Sequence, residues 1–169
     1  MTNYHDIKTD DMNNGSGLRV VVFLSGCEHM CHLCHNKQTW NPCSGILFDE
    51  TAKNKIFECL NKEYIDGITW SGGDPLHQNN IEEVVNLSKE IKAKYPNKTI
   101  WLYSGYKYEW IQKNYPDILQ FIDVLVDGKF IQKLSDVNYH WAGSTNQEVI
   151  DIQESLKQYK KILLNQLYK

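Results

Sequence analysis

Apolar residues fall into two alternating patterns along this chain. Short runs rich in β-branched and aromatic residues occur at 18–24 (LRVVVFL), 67–71 (GITWS), 99–103 (TIWLY) and 122–126 (IDVLV). Continuous rather than alternating hydrophobicity predicts strands buried on both faces. Helical spacing appears between them. Residues 49–62 open on Asp49 as an N-cap and place Ile56, Cys59 and Leu60 on one face, the stripe of a helix packed on a sheet. Asn80 with Glu83 reads as a capping box that opens a helix running to about Tyr95, with Ile81, Val84, Val85, Leu87 and Ile91 as its apolar set and Pro96 as its stop. Residues 109–114 predict a short helix, and 154–169 place Leu156, Tyr159, Leu163 and Leu167 at helical spacing.

The resulting β-α-β-α-β-α-β order predicts a parallel sheet, because parallel neighbours need long crossovers. The expected architecture is α/β. A full β/α barrel of the TIM type takes roughly 250 residues, so 169 residues would build a partial, incomplete barrel as one domain, 1–169. The turns that follow the strands carry the chemically distinctive residues: the cysteine loop, Gly72-Gly73-Asp74-Pro75, Ser104-Gly105-Tyr106 and Asp127-Gly128-Lys129. In parallel α/β sheets ligands bind at the carboxyl ends of the strands. The region after Lys133 lacks a clear strand-helix rhythm.

Composition narrows the function classes. A formal charge of −3 and the absence of a basic tract exclude phosphate neutralisation as a binding mode, so no nucleic-acid partner is expected. No stretch approaches the roughly 20 apolar residues of a membrane helix, and MTNYHDIKTDD has no signal-peptide pattern, so a cytoplasmic protein is expected. Arg19 is the only arginine. Anion recognition elsewhere therefore falls to lysines or backbone amides.

Cys27, Cys31 and Cys34, spaced C-x3-C-x2-C, follow the first strand. Three thiolates can hold three corners of a [4Fe–4S] cluster and leave one iron without a protein ligand, whereas a structural cluster takes four. An open metal position is a place for chemistry. The competing reading is a zinc-binding interaction module, since His29, His32, His35 and Cys43 lie near enough to complete a site and Cys/His-rich tracts bind zinc. Five cysteines is an odd number, which does not suit a disulfide framework. Cys59 reads as a small buried hydrophobe and Cys43 as a loop thiol. In isolation, Gly72 to Pro75 is a strand-to-helix turn, His35 a surface or structural histidine, and Asp127-Gly128 a tight turn beside a solvated Lys129. Trp40, Trp70 and Trp101 read as core or wall residues.

Six segments, NGSGLRVVVFLSGC, CHLCHNKQTW, SGGDPL, WLYSGY, VDGKF and WAGSTNQ, follow one another from about Asn13 to Gln147. With them the chain resembles the radical S-adenosylmethionine enzymes, and among these the activating proteins of anaerobic (class III) ribonucleoside-triphosphate reductases. Each segment alone is weak, but six at compatible spacing are specific.

The resemblance implies that Cys27, Cys31 and Cys34 bind three irons of a [4Fe–4S] cluster, while S-adenosylmethionine chelates the fourth. It implies no acid or base side chain. Gly72, Gly73 and Asp74 would run along the methionine amino group, and Leu33, Cys34 and His35 would lie beside the adenine. Asp127 and Lys129 would lie near the carboxylate, and Ser104 near the ribose or carboxylate. An electron from a low-potential donor such as flavodoxin or ferredoxin would cleave the cofactor to methionine and a 5′-deoxyadenosyl radical. That radical would take a hydrogen from a glycine near the C-terminus of the reductase large subunit. Asn14 stands where activases of the formate-lyase type have aspartate, and the chain has no second cysteine-rich insert; these features favour the reductase over another glycyl radical enzyme as partner. Leu33 departs from the aromatic usual in the superfamily, Ala142 from a frequent arginine and Ser16 from a frequent proline.

Overall fold

The computed structural model describes residues 1–164. Strand β1 (Asn3–Asp11) turns back into β2 (Arg19–Leu24), and the cysteine loop leads to a two-residue strand β3 (Ile46–Leu47). Then follow α1 (Glu50–Leu60), β4 (Gly67–Gly72), α2 (Ile81–Lys94), β5 (Thr99–Tyr103), α3 (Tyr108–Asn114), α4 (Pro116–Leu119) and β6 (Val124–Asp127). A long connection reaches β7 (Glu148–Asp151), α5 (Ile152–Gln158) and β8 (Ile162–Leu163). Among the described residues, the eight strands form one sheet in the order β3-β1-β2-β4-β5-β6-β7-β8. β2, β4, β5 and β6 are parallel, so their carboxyl ends share one edge. The outer strands pair antiparallel on both sides. The architecture is thus α/β with a mixed sheet, not the purely parallel one expected.

Alternation along the strands separates two faces. Val20, Val22 and Leu24 of β2, Ile68 and Trp70 of β4, and Ile100 and Leu102 of β5 pack with Ile56, Leu60, Leu87, Ile91 and Ile111 of the helices in the main core. Each such side chain contributes about 1.5–3 kcal/mol by leaving water. Asp49 caps α1 as expected, its Oδ1 accepting from Thr51 N at 3.0 Å and Ala52 N at 3.1 Å. The opposite face carries Trp101, Val124, Val126 and Val149, covered in part by Trp141 of the long connection.

Arg19 lies fully buried and donates five hydrogen bonds, all to neutral oxygens. Its Nε reaches Thr69 Oγ1, Nη1 reaches Ser16 O and Thr99 Oγ1, and Nη2 reaches Ile68 O and Thr99 O, each at 2.8–2.9 Å. Burial lowers the guanidinium to about 10, still far above neutral pH. The one arginine therefore ties β2, β4 and β5 together and leaves ligand anions to other groups.

Two further expectations change. Asn80 occupies the N-cap position of α2 without capping it; its Nδ2 instead donates to Ser25 O at 2.8 Å and Asp74 O at 3.0 Å, clamping two site loops together. The expected helix over 154–169 is the short α5 followed by β8, because Tyr159 turns left-handed at φ 50° and is 97% exposed. Leu167 lies outside the described residues. No helix among the described residues is long and apolar enough to cross a membrane.

Candidate metal and cofactor site

The loops leaving β2, β4, β5 and β6 meet over the carboxyl edge of the sheet and enclose a cavity of about 150 Å³. Cys27, Cys31 and Cys34 line one side. Gly72 and Gly73, then Ser104 and Gly105, then Gly128 and Lys129 line the others, with Tyr103 and Gln147 between them.

The cysteine loop is held at its base by backbone bonds, Gly26 N to Thr39 O at 2.7 Å and Cys27 N to Trp40 O at 3.1 Å. Within it Met30 and Leu33 take left-handed conformations, φ 48° and 55°, which are costly for side chains of that size. Burial pushes the Cys27 thiol up to about 11 and also raises Cys31. Backbone amides oppose this, from His29 and Met30 at Cys27 and from Phe130 at Cys31, and Asn36 N lies 3.3 Å from Cys34 Sγ. Three thiols on one cavity, each approached by amide donors, suit the sulfur-rich, electron-rich surface of an iron–sulfur cluster. No group of three or more His, Cys, Asp or Glu among the described residues is gathered for a single ion. Cys43 is exposed and Cys59 buried.

The glycines of the second turn answer to the protein's own backbone. Gly72 has φ +97° and a Cβ there would stand 2.5 Å from Leu24 N, while one on Gly73 would stand 2.4 Å from Gly26 O. Gly73 N and Asp74 N then donate to Leu24 O and Gly26 O, both at 2.7 Å. Glycine permits this close approach.

Asp74 is 1% exposed and does not line the cavity. Its Oδ2 accepts from His29 Nε2 at 2.6 Å, Ser104 Oγ at 3.0 Å and Gly105 N at 3.0 Å. Oδ1 accepts from Leu76 N at 2.8 Å. A carboxylate has about four acceptor sites, and these are taken. Asp74 is the knot between the cysteine loop and the turns after β4 and β5. His29 reaches it from between two of the cysteines, with its ring set edge-on to Tyr106 at 4.5 Å.

Asp127 is similarly enclosed, accepting from Lys107 Nζ at 2.9 Å and Tyr108 N at 2.8 Å. Lys129, exposed, lines the cavity. Ser104 does so too, although its hydroxyl donates to Asp74. Leu33, 48% exposed, and His35, exposed and tilted against Phe130 at 5.9 Å, stand outside the cavity lining. Of the tryptophans, Trp70 is core and Trp101 packs edge-on to Trp141 at 4.9 Å, while Trp40 lines the cavity. The turns singled out from the sequence meet at one cavity, but sequence reasoning missed His29 and Lys107 as partners of the two aspartates. It also missed Gln147, whose Oε1 accepts from Gly143 N and Ser144 N and whose Nε2 donates to Gly128 O at 2.9 Å. Its place in WAGSTNQ was the only signal.

Comparison with known proteins agrees with the cluster chemistry. The family model of the 4Fe-4S single cluster domain matches residues 13–150. The anaerobic ribonucleoside-triphosphate reductase-activating protein of Enterobacteria phage T4 is 43% identical over 147 residues, 87% of this chain and 92% of the relative. The proteins of the same name from Escherichia coli K12 and Haemophilus influenzae are 42% and 41% identical, over 87% and 86% of this chain and 97% and 95% of their own lengths.

Proposed function

The chain belongs to the family of anaerobic ribonucleoside-triphosphate reductase-activating proteins, and from that premise we propose that it is the radical S-adenosylmethionine enzyme that installs a glycyl radical on such a reductase. Cys27, Cys31 and Cys34 hold the [4Fe–4S] cluster, and the cofactor occupies the space between them and the turns after β4, β5 and β6. The observation that carries this reading is the three thiols facing Gly72-Gly73, Ser104-Gly105 and Lys129 across one cavity. When bound, the reduced cluster supplies an electron that splits S-adenosylmethionine into methionine and a carbon radical able to take a hydrogen atom from glycine.

The chain's own residues bind and orient. Gly72 and Gly73, which line the cavity, would present their peptide groups to the amino end of the cofactor, with no side chain to crowd it. Lys129 supplies a point charge for the carboxylate. Asp127 acts by holding Lys107 and the start of α3, and Asp74 by fastening His29, rather than by touching the cofactor. Leu33 and His35, on the exposed arm of the loop outside the cavity lining, would border the adenine with Cys34. Ser104, which lines the cavity, would lie against the ribose or carboxylate. The parallel strands β2, β4, β5 and β6 are read as part of an incomplete barrel, and residues 1–169 as one domain. Five free cysteines suit a reducing cytoplasm, and flavodoxin or ferredoxin suits the electron demand.

An anaerobic assay tests this. After iron and sulfide reconstitution and dithionite reduction, S-adenosylmethionine should yield 5′-deoxyadenosine with the wild type and none with Cys31→Ala. Adding the reductase large subunit should give a glycyl radical signal that depends on its C-terminal glycine region. Cofactor cleavage without that signal would move the protein substrate to another glycyl radical enzyme. No cleavage by a verified, reducible cluster would end the proposal.

A further inference from the structure

Trp40 stands at the base of the cysteine loop, and its indole has a donor that nothing satisfies. The backbone there is held by hydrogen bonds. Trp40 N donates to Lys37 O at 3.2 Å, Thr39 N to Asn36 O at 2.9 Å, and Trp40 O accepts from Cys27 N at 3.1 Å. The ring lines the same cavity as the three thiols. Its Nε1 is buried and has no hydrogen-bond partner. This is not how the chain treats an indole in its core: Trp70 Nε1 donates to Ser88 Oγ at 3.0 Å.

Indole N–H can only donate, and a buried donor is normally matched. The cavity that this ring lines is the space from which an acceptor can come. Electron-rich sulfur is the chemistry carried by that wall, since Trp40 is tied through its own carbonyl to Cys27, and the neighbouring Asn36 N approaches Cys34 Sγ at 3.3 Å. We propose that Trp40 Nε1–H donates a hydrogen bond to a sulfur of the bound iron–sulfur cluster and thereby eases its reduction. A donor on sulfur favours the more negative, reduced state and raises the potential. The inference rests on the cluster assignment above, but not on cofactor cleavage.

The test compares reconstituted wild type with Trp40→Phe, which keeps an aromatic ring and removes the N–H. Trp110→Phe, on the far side of Tyr106, serves as control. With iron and sulfide content unchanged, redox titration without S-adenosylmethionine should show Trp40→Phe harder to reduce, by about tenfold in the reduction equilibrium, the size of one hydrogen bond. For one electron that is about 59 mV. Wild type labelled with ¹⁵N-indole tryptophan should show a nitrogen coupling to the reduced cluster by pulsed EPR, retained in Trp110→Phe; this measurement does not depend on the Trp40 variant folding. An unchanged potential in an intact cluster, or no ¹⁵N coupling, would overturn the proposal. So would an effect that appears only when S-adenosylmethionine is added, because the acceptor would then belong to the cofactor. Failure to assemble any [4Fe–4S] cluster in wild type would instead overturn the functional reading.

Discussion

Replacing Asp74 by asparagine keeps the shape of the side chain and changes one oxygen into an amide nitrogen. The amide cannot serve all the donors that converge on this carboxylate. If its oxygen stays at the Oδ2 position, facing His29, Ser104 and Gly105 N, its NH2 faces Leu76 N–H, and if it flips, the NH2 faces His29 and Gly105 N–H. The first arrangement leaves one buried amide without an acceptor, about 1–3 kcal/mol. It also removes the charge from the 2.6 Å contact with His29, which roughly halves such a bond. The side chains of His29 and Asp74 are only 8% and 2% exposed, so water cannot compensate. The expected loss is about 2–4 kcal/mol in urea unfolding of the anaerobic, cluster-free protein, read by linear extrapolation. A cycle with His29→Phe should show a coupling of about 1.5–3 kcal/mol between the two side chains. A loss under about 0.5 kcal/mol, or no coupling, would refute the reasoning and return Asp74 to the cofactor as a free ligand.

Arg19→Lys should cost about 3 kcal/mol or more in the same assay, because one ammonium cannot reach five acceptors in a fully buried site; near-neutral behaviour would show that the acceptors find other donors. Gly105→Ala places a Cβ 2.3 Å from the His29 ring. Displacement of the imidazole should appear as a shift of its NMR resonances, with slower cluster assembly. Lys161 joins Glu109 and Glu148 at 2.9 and 2.7 Å. Burial pulls its ammonium down, but these carboxylates outweigh that and hold it above its ordinary value, while Lys161 holds Glu109 below its own. The folded carboxyl binds its proton later than the unfolded one, so the Glu109 arm of the tie is whole at neutral pH and is lost as pH falls through the folded value of Glu109. It is lost again in alkali above the ordinary lysine range. Lys161→Met should speed amide exchange at Ile162 at pH 7, by the equivalent of about 0.5 kcal/mol, and much less at pH 3.

The central strands were legible because β2, β4, β5 and β6 are buried on both faces and so read as unbroken apolar runs. β1 was not, since NYHDIKTDD buries only Ile7 and Asp11 and gains its strand character from pairing with β2. β7 and β8, four and two residues long, carry too little pattern to see. Within 154–164 periodicity misled because Leu156 is left exposed on α5 while Leu163 packs against the main core from β8. In the site, residue types and turns were legible, but partnerships were not. Asp74 meets His29 across 45 positions and Asp127 meets Lys107 across 20, and no local spacing encodes such pairs. For the same reason the sequence did not show that Gly73, besides lining the cavity, makes room for Gly26 by its absent side chain.

The cavity wall is knitted from protein groups alone: Asp74 to His29 and Gly105, Gly73 to Leu24, Asn80 to Ser25, Gln147 to Gly128. Where metal binding and folding are one event, as in zinc fingers, stripping the metal dissolves the domain. Here the ties that shape the wall do not run through the thiols, so chemical destruction of the inorganic contents is expected to be a loss of cargo, after which the same polypeptide could be reloaded without being made again.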